Sequence, residues 1–181
     1  MTAKLITPAV GLAVSLEAAI TAARANGAGI DSEVEQAVRT YTAEAEFETQ
    51  RALINQTWRL TVDKFSPALK LERPPLVSVA HVKYLDTNGQ WQTIDPQDYE
   101  ADSVSEPGYI VPAPRKAWPP TADRINAVEV QYTAGYGPDH TSVPDSIKGF
   151  ILRRVADQFG QLSASLAASA PRLLDGERVY L

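Results

Sequence analysis

The chain has no cysteine and only two histidines in 181 residues. Without cysteine there is no disulfide scaffold, no thiolate-bound zinc or iron–sulfur cluster, and no thiol nucleophile. The absence fits a reducing cytoplasm. His81 sits in a strand-like pattern and His140 in a polar loop, far apart and without ligand-like spacing. A histidine zinc site or a catalytic triad therefore has almost nothing to be built from. Long apolar runs are missing too: none approaches the roughly 20 residues of a membrane helix. No basic stretch precedes an apolar core at the N-terminus, so no signal peptide is expected.

An excess of positive charge is also lacking. The net charge is −5. Residues 1–56 carry four basic against seven acidic side chains, residues 57–142 eight against eleven, and residues 143–181 five against four. Phosphate neutralisation dominates affinity for DNA, so this balance argues against a tight nucleic-acid binder and leaves only passing contact. Gly135 and Gly137 are not followed by Lys-Ser/Thr and make no phosphate loop. Asp86-Thr87-Asn88-Gly89 opens like a calcium loop but lacks the later ligands. Asp98, Glu100 and Asp102 would share one face of a strand, either as a hard-cation site or as a charged edge that resists aggregation. Trp58, Trp91 and Trp118 could form a sugar platform, although buried aromatic anchors are the default.

What is present is a helix–strand–helix pattern. A chain of this length suits one domain, or one core with an inserted module, and buries roughly 70% of its unfolded surface. Pro8 keeps the lead-in extended. Ser15 caps a short helix that runs to about Ala25, where Asn26-Gly27 ends it. Asp31 or Ser32 caps a longer helix with the apolar stripe Ile30, Val34, Val38, Tyr41 and Ala45. Glu44, Glu46 and Glu48 mostly face away from this stripe, as a solvated face or as a surface toward a channel or neighbour. The stretch ALINQTWRLTVDKF, residues 52–65, reads as a helix end followed at once by a strand in which Trp58, Leu60 and Val62 alternate with polar residues.

A β module comes next. Pro74-Pro75 marks a break. Val77 and Val79 open the next strand, and Asn88-Gly89 supplies positive φ angles for a tight hairpin returning through Trp91–Ile94. A second hairpin joins 99–104 to 109–111 through Glu106-Pro107-Gly108. Val128, Val130 and Tyr132 give the best-patterned strand. Residues 112–120 hold four prolines together with Arg115, Lys116 and Trp118. They form a stiff loop that is either a strap on the sheet or a protruding contact. Pro144 and Asp145 then start a helix with the stripe Ile147, Ile151, Val155 and Phe159. Its small-residue continuation, Ser163–Ala170, is stopped by Pro171. The end, RLLDGERVYL, is an apolar tail that frays unless docked on its own sheet or on a partner.

Taken in order, LITPAVGLAVSLEAA, ALINQTWRLTVDKF, RPPLVSVAHVKYLDTNGQ, DPQDYEAD, EPGYIVPAPRKAWPP, NAVEVQYTAGYG and VPDSIKGFILRRVADQF resemble the head–tail connector (adaptor, or head-completion) proteins of tailed bacteriophages. The resemblance covers roughly residues 5–160. It implies an α+β fold: a helical bundle made of N-terminal helices (1–56) and a C-terminal helix (143–170), an inserted antiparallel β module (57–135) and a C-terminal arm (171–181). It implies a non-enzymatic virion protein with no cofactor, assembled in the host cytoplasm. Such proteins form a ring, commonly a dodecamer, under the portal protein in the neck. The ring extends the DNA channel, with DNA as passing cargo, and no membrane is involved. It also docks the next neck or tail component.

On this basis Arg172, Leu173, Leu174, Val179, Tyr180 and Leu181 are expected to form an arm to the portal or a neighbouring copy. Arg115, Lys116 and Trp118 are expected in a docking loop, and Glu44, Glu46 and Glu48 in a lumen that repels DNA. A stopper or tail-completion protein, or a carbohydrate-binding β module, are the alternatives.

Overall fold

The computed structural model describes residues 2–27 and 29–180. The class is α+β, with four helices and two antiparallel sheets among the described residues. The chain divides into two compact units. One comprises residues up to Pro8 with Asn55–Gly135, and the other Ala9–Ile54 with Tyr136–Tyr180.

The helical unit contains α1 (Leu16–Ala22), α2 (Asp31–Thr49), α3 (Asp145–Gln158) and α4 (Ala164–Ser169). The Ser15 hydroxyl caps α1 by accepting from the Ala18 N–H at 3.2 Å. This helix stops before Asn26-Gly27. Arg24 takes a positive φ of 50°, and the N–H groups of Arg24 and Ala25 return to Thr21 and Ile20. No side chain caps α2, whose Asp31 is already helical. The expected stripe is real: Val34, Val38 and Ala45 are buried, with Ile30 and Tyr41 at the margin. They pack with Ile147, Phe150, Ile151 and Val155 of α3.

The helix end expected at Ala52 comes earlier. Gln50 is left-handed at φ 58°, and Arg51–Ile54 form a buried connection. Glu46 stabilises it by accepting the Leu53 N–H at 2.9 Å. The Ser163–Ala170 run does not continue α3 either. Gly160 adopts φ +70°, its N–H bonds Asp157 O, and Gln161 N–H bonds Ala156 O. This pair of bonds with a left-handed glycine is the Schellman stop of a helix.

The β unit holds a five-stranded sheet in the order β1-β2-β8-β4-β5 and a three-stranded sheet in the order β3-β7-β6. The strands are β1 (Thr2–Thr7), β2 (Gln56–Val62), β3 (Leu69–Leu71), β4 (Leu76–Leu85), β5 (Trp91–Thr93), β6 (Tyr99–Asp102), β7 (Gly108–Pro112) and β8 (Val128–Ala134). The extended lead-in is thus a strand, pairing Lys4 with Arg59. Strand β8 shows strict alternation, with Val128, Val130, Tyr132 and Ala134 fully buried. The Tyr132 hydroxyl donates to Glu72 O at 2.9 Å, and burial raises its pKa.

Strand β4 departs from the simple alternation. Register shifts at Leu76/Ser78 and Val79/His81 turn Val77 outward to 48% exposure, while Leu76, Val82 and Leu85 are buried. Each bulge adds a residue and inverts the facing of the positions beyond it. In the β4–β5 hairpin only Gly89 has a positive φ, 78°. The Gly89 N–H bonds Asp86 O and the Asp86 N–H bonds Gln90 O. This is a three-residue loop with a glycine bulge, in place of a two-residue turn.

Candidate functional site

The tail is docked on its own helical unit. Ala170–Leu174 forms a 3₁₀ turn beside α3, with Ala170 and Leu174 fully buried and Leu173 half-buried. Leu174 is part of the helical core, to which α4 contributes no buried residue. Beyond it, Arg51 Nε donates to Glu177 O at 2.7 Å, and Ser146 Oγ to Glu177 Oε1 at 2.7 Å. The Val179 N–H then donates to Thr49 O at 3.0 Å, satisfying a carbonyl at the end of α2. Arg178 pairs with Glu48 at 3.0 Å. Of the six arm residues, Arg172 and Tyr180 are exposed, Tyr180 at 86%. Leu181 lies outside the described residues.

The proline-rich segment is held on the sheet. Trp118 stacks on Phe65 with ring centroids 4.6 Å apart and planes 8° from parallel. Phe65 in turn meets Tyr84 at 6.0 Å. Lys116 Nζ pairs with Asp98 at 3.0 Å, and Ala113 N–H bonds Asp98 O. Arg115 remains exposed in a left-handed conformation. A cavity of about 320 Å³ lies beside the segment, bordered by Tyr84, Asp95, Lys116 and Trp118. The tryptophan platform is not formed: Phe65 takes a face of Trp118, Arg73 lies 5.4 Å over Trp58, and Trp91 is 54% exposed.

The three glutamates are each engaged. Glu44 receives Arg154 at 3.3 Å, whose guanidinium also covers Tyr41 at 4.9 Å. Glu46 holds the Leu53 N–H, and Glu48 holds Arg178. The ion pairs of Glu44 and Glu48 bring a cation to each carboxylate. The Asp98–Asp102 cluster also disperses, because Asp98 ends a 3₁₀ turn before β6 starts. Asp102 instead accepts from Val104 and Ser105, and the hydrogen bonds from Ser105 hold its pKa down. No group of three or more potential ligands among the described residues could hold a metal ion. No described helix is long and apolar enough to cross a membrane.

A feature missed in the sequence is the outer face of the five-stranded sheet. Arg59 on β2, Glu129 on β8 and His81 on β4 meet there: Glu129 lies 3.4 Å from Arg59 Nε and 3.1 Å from His81 Nε2. Lys83 and Trp91 border the same shallow depression as Glu129. The polar alternation of β2 and β8 was the available signal, but the bulges in β4 concealed the place of His81 and Lys83.

No protein-family model matches the chain, and no curated protein does. Solved structures match across its full length. A chain from the neck of an empty gene transfer agent particle, computed with C6 symmetry, has a TM-score of 0.81 at 19% identity, covering 100% of this chain and 97% of that one. A chain from the virion of the native particle gives 0.81 at 18%, with the same coverages. One from the native neck computed with C12 symmetry gives 0.70 at 20%, again covering 100% and 97%. At such identities the likeness establishes a common fold.

Proposed function

We propose that this protein is a structural neck component of a phage-like particle. It acts as a head–tail connector: a ring of copies under the portal that extends the DNA channel and receives the next neck or tail component. The observation that carries the reading is the full-length likeness to chains from gene transfer agent necks. The C6 and C12 symmetries of those necks suit a ring subunit. The acidic balance suits a wall past which DNA slides, since few cations are offered to its phosphates. Binding surfaces between proteins do the work, and no bond-making chemistry is assigned.

The test is addition of the purified protein to portal-bearing heads that lack it. Co-sedimentation, with a ring imaged beneath the portal, is the expected result. Binding only to heads that already carry a connector would assign it as a stopper or tail-completion protein. Binding to neither would overturn the neck reading.

A further inference from the structure

We infer that the outer face of the five-stranded sheet docks on the acidic first half of α2 in a second copy of this chain. The inference rests on the proposed ring and names its contact. Three strands bring Arg59, His81 and Glu129 together, and Glu129 is the acid between them. Lys4 lies opposite Arg59 in the register, and Lys83 opposite Glu129. The face thus carries Lys4, Arg59 and Lys83 against one carboxylate, Glu129, which Arg59 and Lys83 flank. Beside Lys83, Trp91 leaves 54% of its surface in water. An exposed tryptophan bordering a lysine, on a sheet face that also carries an arginine, suits an interface with apolar burial at its anchor and charge setting orientation.

The complementary surface is on the helical unit. Asp31 and Glu33 are exposed on the first turn of α2, and Glu35 comes next, paired with Arg39 at 2.7 Å. Glu33 borders a shallow depression of about 330 Å³ with Gln36, Thr40 and Gln158. One copy therefore carries a cationic face on its β unit and an acidic face on its helical unit. Two unlike, mutually attractive faces are what a head-to-tail ring contact requires, whereas a twofold dimer uses the same patch twice. Isolated surface ion pairs contribute little, so Trp91 supplies the affinity and the charges supply partner choice.

Sedimentation velocity on the full chain tests this. The wild-type chain should associate with concentration at low salt and dissociate at high salt. Lys83→Glu/Trp91→Ala and Asp31→Lys/Glu33→Lys should each, alone, associate at least about tenfold more weakly. An equimolar mixture should recover pairs that grow no further, because the sheet face of one variant and the α2 face of the other make a single intact contact. Circular dichroism checks folding, and Lys83→Gln with Trp91 intact provides a milder variant that should show a smaller loss. The inference is overturned if the wild type stays monomeric at all concentrations, if the variants associate like wild type, or if the mixture fails to recover. It is also overturned if the face instead retains duplex DNA that Lys83→Gln releases. None of these outcomes decides binding to portal-bearing heads, on which the neck reading stands or falls separately.

Discussion

Asp86 shows how one side chain sets a local structure. Its Oδ1 accepts the N–H groups of Asn88 and Gln90, both at 2.9 Å, and its Oδ2 accepts from Gln92 Nε2 at 2.9 Å. Bonds from Gln90 first, and then from Gln92, hold its pKa below the usual aspartate value of 3.8. A carboxylate with a depressed folded pKa contributes fully above the unfolded value, and the contribution fades as pH falls through the folded one. Protection of the Asn88 and Gln90 amides, measured against their intrinsic exchange rates, should therefore fall as the pH drops below 3.8. Asp86→Asn should make exchange in this loop faster at neutral pH and remove that acid-dependent step. An unchanged wild-type profile across the acid range would contradict the assignment. The motif looked like a calcium loop in the sequence because aspartate and asparagine serve both purposes.

At the scale of elements, the C-terminal 3₁₀ turn behaves as part of the helical core. Leu174 is fully enclosed, so Leu174→Ala should cost roughly 2–5 kcal/mol in urea unfolding. Tyr180→Ala, at an 86% exposed site, should change stability by less than about 0.5 kcal/mol. Equal effects from the two variants would mean that the tail is not docked as described. Leu174 and the half-buried Leu173 pack into the protein's own helical core, while Arg172 and Tyr180 stay at the surface. Much at this scale was readable beforehand. The stripes of α2 and α3 and the alternation of β8 repeat at the helical and strand periods, and burial tracks them. The bulges of β4 and the stop at Gly160 were not readable. A small-residue run permits a helix as readily as a break, and the extra residues of a bulge carry no composition of their own.

At the scale of the molecule, the β unit is assembled from distant pieces of chain: β1 at residues 2–7 pairs with β2 at residues 56–62. Strand β1 covers the edge of β2, and open edges template intermolecular pairing. Removing residues 2–7 should lower the thermal midpoint and produce oligomers that persist at high salt. That insensitivity separates them from the charge-directed contact between the sheet face and α2. A truncated chain that melts and sediments like wild type would mean that β1 contributes nothing. The sequence alone determined the α+β class, the main helices and the hairpin positions. These depend on the spacing of apolar residues and on turn residues within a few positions of each other. Only the tertiary structure decided that the lead-in is a sheet strand, that Glu44, Glu46 and Glu48 are engaged within their own unit, and that Leu174 is core. It also decided that Arg59, His81 and Glu129 share one face. Each of these depends on a partner tens of residues away or on a change of register, and local periodicity carries no information about either.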